Sequence, residues 1–96
     1  MRVLIKYATY ADGVTIHCLA EDARTVVAPF KRLQNLKTLY RLLKYVGGDA
    51  EQAKREIKGW GHGGVWVDVR PDDFAILGIK KTPGSQNRES GRSIAD

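Results

Sequence analysis

Arg2-Val3-Leu4-Ile5-Lys6-Tyr7-Ala8 and Val14-Thr15-Ile16-His17-Cys18-Leu19 flank the turn signal Ala11-Asp12-Gly13. The first segment is rich in β-forming residues and short enough for one strand. The second alternates apolar and polar side chains over its first four residues, the period of a half-buried strand. An Asp-Gly pair between two such runs predicts a β-hairpin. Glu21-Asp22-Ala23-Arg24 forms a second polar break, and Thr25-Val26-Val27-Ala28 then resumes β character. Pro29 has no N–H to give to a ladder, so it either ends this third strand or confines it to a sheet edge. Three antiparallel strands are therefore expected before residue 30.

The next segment changes period. Leu33, Leu36, Leu39, Tyr40, Leu42, Leu43 and Val46 recur every three or four residues, which is one face of a helix. Arg32 would fall inside that apolar arc, so the helix is expected to begin after it. Lys37, Arg41 and Lys44 gather on the other half, within an arc of roughly 60°. Gly47-Gly48 supplies a stop. Asp49 is suited to cap a second helix, with Gln52 three residues on in a capping-box-like pattern. Ala50, Ala53, Ile57 and Trp60 give this second helix a narrow stripe of largely small residues. Together they predict an αα-hairpin laid on the sheet.

Residues 59–64, Gly-Trp-Gly-His-Gly-Gly, hold four glycines in six positions and read as a loop rather than helix or ordinary strand. Val65-Trp66-Val67-Asp68-Val69 returns to period two, with the valines inward and Trp66 and Asp68 outward. Arg70-Pro71-Asp72-Asp73 has the proline and early acids of a helix start. Phe74-Ala75-Ile76-Leu77 would be a short helix closed by Gly78, with a fifth strand as the alternative. From Lys80 onward one large apolar residue stands among seventeen. Such a composition cannot offset its ordering entropy, which predicts a disordered tail. The expectation is one α+β domain over 1–79, a small antiparallel sheet of three or four strands with the αα-hairpin on one face, and a flexible basic tail over 80–96.

Length and composition bound the function. Ninety-six residues allow one domain. A single cysteine forms no internal disulfide and no Cys-rich zinc centre. No apolar run approaches the roughly 18 residues of a membrane span. Met1-Arg2-Val3-Leu4-Ile5-Lys6 meets a second charge too early for a signal peptide. A soluble protein of the reducing cytoplasm is expected. The net charge of +5 is concentrated in residues 31–58, which alone carry +5, whereas residues 59–79 carry −2. Lys31, Arg32, Lys37, Arg41 and Lys44 follow one another without an acid between them. That asymmetry favours a polyanionic partner, with a merely solvated helix face as the equally weighted alternative.

Other chemistry is weaker. His17 and Cys18 are adjacent on a strand and point to opposite faces, so they form no nucleophile–base dyad. Cys18 shares the Val14/Ile16 face and reads as core. His17, His62, Asp68, Asp72 and Asp73 show no metal-ligand spacing, and no cofactor is expected. The glycine-rich run follows a helix and precedes a strand, the reverse of a phosphate-binding P-loop. Its Trp60 and His62 could serve as rings beside the cations, and Trp66 as a sheet-face platform. Asp68 beside Trp66 repels phosphate, which favours the helix over the sheet face.

The reading is a non-enzymatic nucleic-acid-binding or regulatory accessory protein, with no catalytic residues assigned. Lys37, Arg41, Lys44, Trp60 and His62 are the candidate contacts to DNA or RNA, weakly selective for sequence. The alternative is an adaptor or inhibitor docking on an acidic protein surface. A small phosphate-acting enzyme using His62 stands third. A second copy of the chain, paired through a sheet edge, is a further candidate partner.

Overall fold

Alternation along residues 2–19 produces the expected hairpin. Strands β1 (Arg2–Tyr10) and β2 (Gly13–Leu19) pair antiparallel in the register Tyr10↔Gly13, Lys6↔His17 and Leu4↔Leu19. Val3, Ile5 and Tyr7 of β1 and Val14, Ile16 and Cys18 of β2 turn to one face and are buried. The structure, a computed structural model, describes residues 1–80, so the tail expected over 80–96 lies outside the described residues except for Lys80.

Strand β3 (Val26–Leu33) does not end at Pro29 but runs through it on the sheet edge. Ile16 pairs with Lys31 and Cys18 with Ala28, so Pro29 and Phe30 together face His17 in a β-bulge. An edge bulge is where a residue without N–H is tolerated. Leu33, expected at the start of the first helix, is instead the buried last residue of β3. The cause is the cap. Asn35 accepts a hydrogen bond from Thr38 N–H at 2.9 Å, so helix α1 (Leu36–Tyr45) starts only after it. Helix periodicity cannot tell a buried strand end from a first helical turn when both bury leucine.

Asp49 caps α2 (Ala50–Trp60) by accepting from Gln52 N–H at 2.9 Å. Gly61 ends it at φ 78°, a left-handed conformation that costs glycine no Cβ clash. Leu39, Leu42 and Leu43 of α1 and Ala53 of α2 are buried against the inward sheet face. Each buried leucine contributes about 1.5–3 kcal/mol of transfer free energy.

Strand β4 begins at once after Gly61. It spans His62–Asp68 and pairs antiparallel with β1, Val65 opposite Ile5 and Val67 opposite Val3. Residues 59–64 are therefore no loop: Gly59 and Trp60 close α2, and His62, Gly63 and Gly64 open β4. The four-stranded sheet has the order β3-β2-β1-β4. It is a mixed α+β fold with two helices on one sheet face.

Beyond β4, Val69 is buried, and Pro71–Asp73 form a 3-10 turn leading into α3 (Phe74–Leu77). Arg70 donates Nε–H and Nη2–H to buried Asp73, both at 3.2 Å. Leu77 and Ile79 close the end of the core, and Lys80 N–H reaches Val27 O on β3 at 3.3 Å.

Candidate nucleic-acid interface

The helix periodicity that buries Leu39 and Leu43 turns Lys37, Arg41 and Lys44 outward along α1. They meet α2 across a hollow of about 260 Å³, lined also by Tyr40, Ala50, Glu51 and Lys54. Lys54 pairs with Glu51 at 3.2 Å, and its ammonium lies 5.4 Å from the Tyr40 ring centre. Among the described residues, Lys37, Arg41 and Lys44 have no carboxylate within ion-pair distance. Lys54 was missed at the sequence level. Its alternation with Glu51 and Arg55 along α2 says nothing about which neighbour α1 presents.

Trp60 and His62 do not join this cluster. Trp60 is 71% exposed at the end of α2. His62 lies on β4, where Val65 and Val67 point to the helices. Strand alternation therefore sends His62, Gly64, Trp66 and Asp68 to the opposite face of the sheet. There His62 shares a hollow of about 190 Å³ with Lys6, Ala8, Thr15, His17 and Phe30, none of them acidic. The rings of His17 and Phe30 stack with centres 4.2 Å apart, tilted by 33°. Burial first, and then the charge of Lys6, lowers the His17 pKa and disfavours its cation. Trp66 is 40% exposed, with the Arg2 guanidinium 4.8 Å from its ring centre.

Between these two faces lies a polar network with no sequence-level counterpart. Tyr7, buried at the centre of β1, donates its hydroxyl to Glu56 Oε1. Gln52, one helical turn before Glu56, donates to Glu56 Oε2 at 3.1 Å and to Gly64 O at 3.0 Å. Gly64 N–H donates to Glu56 Oε1 at 3.1 Å. Gly63 leaves the room this requires, since a Cβ there would sit 2.8 Å from Glu56 Cδ. Burial raises the Glu56 pKa, but the bonds from Tyr7, Gln52 and Gly64 outweigh it, and the carboxyl is held below its usual range. Burial, and then the Glu56 carboxylate, pushes the Tyr7 phenol far above its ordinary value. The glycine pair was the only signal, and its partner on α2 is invisible without the fold.

The network also covers a sheet edge. Thr9 N–H bonds Gly61 O, and Val69 N–H bonds Met1 O. In this register the odd-numbered residues of β4 bond to β1, and the even-numbered ones turn N–H and C=O to the open side. Gln52 and Glu56 satisfy both outward groups of Gly64, in the place a fifth strand would take. Cys18 is fully buried, and burial raises its thiol to about 11, so it stays protonated at neutral pH. Among the described residues no three His, Cys, Asp or Glu side chains are grouped to hold a metal ion, and no helix is long and apolar enough to cross a membrane. Compared with known proteins, the chain matches no family model, no curated protein and no solved structure.

Proposed function

We propose that the domain is a non-enzymatic nucleic-acid-binding accessory protein that contacts the phosphate backbone through the cleft between α1 and α2. The observation that carries this reading is the convergence of Lys37, Arg41 and Lys44, free of carboxylate partners among the described residues, with Lys54 on one hollow. Cations spaced along one helix face engage successive phosphates, and their binding releases condensed counterions. Such contacts position a nucleic acid without reading its bases, so selectivity for sequence is weak.

A second reading, docking on an acidic protein, has one specific observation in its favour. Arg41 also borders an apolar groove with Leu33, Leu42, Tyr45 and Ile76, of which Tyr45 and Ile76 are largely exposed. Cations beside exposed apolar side chains suit a protein surface better than a phosphate backbone. The small phosphate-acting enzyme stays third: the hollow around His62 holds a second imidazole, His17, and the cation Lys6, but no carboxylate.

The deciding experiment is a fluorescence-anisotropy titration of the full chain with labelled DNA and RNA, single-stranded and duplex, over a range of salt. Affinity whose logarithm falls linearly with log salt, and which the double variant Arg41→Glu/Lys44→Glu abolishes, supports the cleft. No binding at low salt overturns the nucleic-acid reading and leaves the acidic protein partner.

A further inference from the structure

The sheet buries one face under α1 and α2, and no described element packs on the other. Its register lays the outward side chains in cross-strand rows. His62, Ala8 and Thr15 form the first; Gly64, Lys6 and His17 the second; Trp66, Leu4 and Leu19 the third. Phe30 enters the second row from β3 because the bulge at Pro29 and Phe30 adds a residue opposite His17. A bulge re-aims a side chain in this way, and here it projects a phenyl ring that remains 70% exposed. Single exposed apolar residues are ordinary, but four rings on one open face are not scattered.

The charge on this face is complementary to an anion. Among the described residues Lys6 has no carboxylate partner, and Arg2 lies over Trp66. Of the carboxylates near it, Asp12 pairs with Arg32 and Asp68 with the ammonium of Met1 at 3.1 Å, both in exposed positions, and Glu21 and Asp22 follow Leu19 at the end of the third row. Among the described residues the side chains of Lys6, Thr15, His17 and His62 are engaged in no hydrogen bond; His62 is exposed and the other three are half-buried. Gly64 keeps the centre of β4 low beside Lys6, between the rings of His62 and Trp66.

We propose that this open face binds the unpaired bases of single-stranded nucleic acid, with Phe30 and Trp66 as stacking surfaces and Lys6 as the phosphate contact between them. Phe30 on β3 and Trp66 on β4 stand three strand spacings apart, about 14 Å across the sheet. The rings therefore take separate bases of one strand. Every base has a π face, so stacking binds single strands with little regard to sequence. A duplex offers no free base face to a sheet and is not held here. The inference rests on the nucleic-acid reading above and adds the substrate class, through residues the helix cleft does not use.

The test uses the full chain with a short fluorescein-labelled oligothymidylate, an oligoadenylate RNA and a blunt-ended duplex of two complementary strands. Phe30→Ala, at an exposed ring, and Lys6→Ala, at a half-buried stem, are expected to weaken single-strand binding, about 5- to 100-fold for the aromatic loss, while leaving the duplex unchanged. Trp66 fluorescence, read alone in a Trp60→Phe background, is expected to be quenched by the single strand and not by the duplex. Single-strand affinity that survives both variants, without quenching, overturns this inference yet leaves the cleft standing if Arg41→Glu/Lys44→Glu still abolishes binding. Absence of binding to every oligonucleotide overturns both.

Discussion

The backbone N–H of Gly64, on the outer edge of β4, donates to the carboxylate of Glu56 on α2 at 3.1 Å. A helix side chain thus occupies the position of a neighbouring strand. With Gln52 bonded to the Gly64 carbonyl at 3.0 Å, it blunts the edge where a second copy of the sheet would otherwise add. The opposite edge is interrupted by the bulge at Pro29 and met by Lys80 at Val27.

Glu56→Ala is expected to destabilise the domain by about 1–3 kcal/mol, because it leaves the buried Tyr7 hydroxyl without its acceptor. Urea denaturation measures this. The same change frees the Gly64 edge, so concentration-dependent self-association should appear in sedimentation velocity. A variant that remains monomeric at high concentration would show that this bond does not guard the edge.

Gly63→Ala should also be destabilising, through a different cause. Its methyl would meet the Glu56 side chain rather than open space. Combined with Glu56→Ala, which removes the obstacle, the second substitution should cost far less than it does alone. The double-mutant cycle reports that coupling directly.

Stability should fall at both ends of the pH scale. The His17 pKa is lowered in the folded protein, so its contribution is present above the ordinary value of 6.5 and lost as pH falls through the lowered value. Glu56 follows in more acid solution, its contribution present above 4.5 and lost below that. Tyr7 acts in the other direction. Its raised pKa favours the protonated phenol, so stability is intact below 10 and declines as pH rises beyond it. Thermal melts of Tyr7→Phe against the unaltered chain should differ in slope above pH 10 and not between 7 and 9.

Ala23 sits at φ 59° in the turn between β2 and β3, where Asp22 accepts from Arg24 N–H and Thr25 N–H. A left-handed alanine carries about 1 kcal/mol of strain that glycine avoids. Ala23→Gly is expected to raise the melting temperature by a few degrees, on the order of 4 °C for about 0.5–1 kcal/mol in a domain of this size. Ala23 is none of the proposed contact residues, so oligonucleotide affinity should not change.

Lys37→Ala should lower nucleic-acid affinity modestly and reduce the slope of log affinity against log salt by about 0.7–0.9. An unchanged slope would remove Lys37 from the phosphate contacts.

Much of the secondary structure was legible in local chemistry. The hairpin of β1 and β2 follows from alternation around Asp12-Gly13, and α2 from the cap Asp49 with its partner Gln52. The cation stripe of α1 follows from the helical period alone. Leu33 and residues 59–64 were misplaced for related reasons. A buried leucine suits strand end and helix start equally, and glycine content describes backbone freedom without saying what that freedom accommodates.

Local periodicity therefore settles which side chains of each element share a face, because the repeat of a strand or helix is a property of the backbone itself. It does not settle which faces of different elements meet. That Glu56 lies over Gly63, that Lys54 joins the α1 stripe, and that His62 turns away from it toward Phe30 all depend on the strand order β3-β2-β1-β4 and the bulge at Pro29. Those relationships join residues of different elements, and only the packing of the elements on one another selects them.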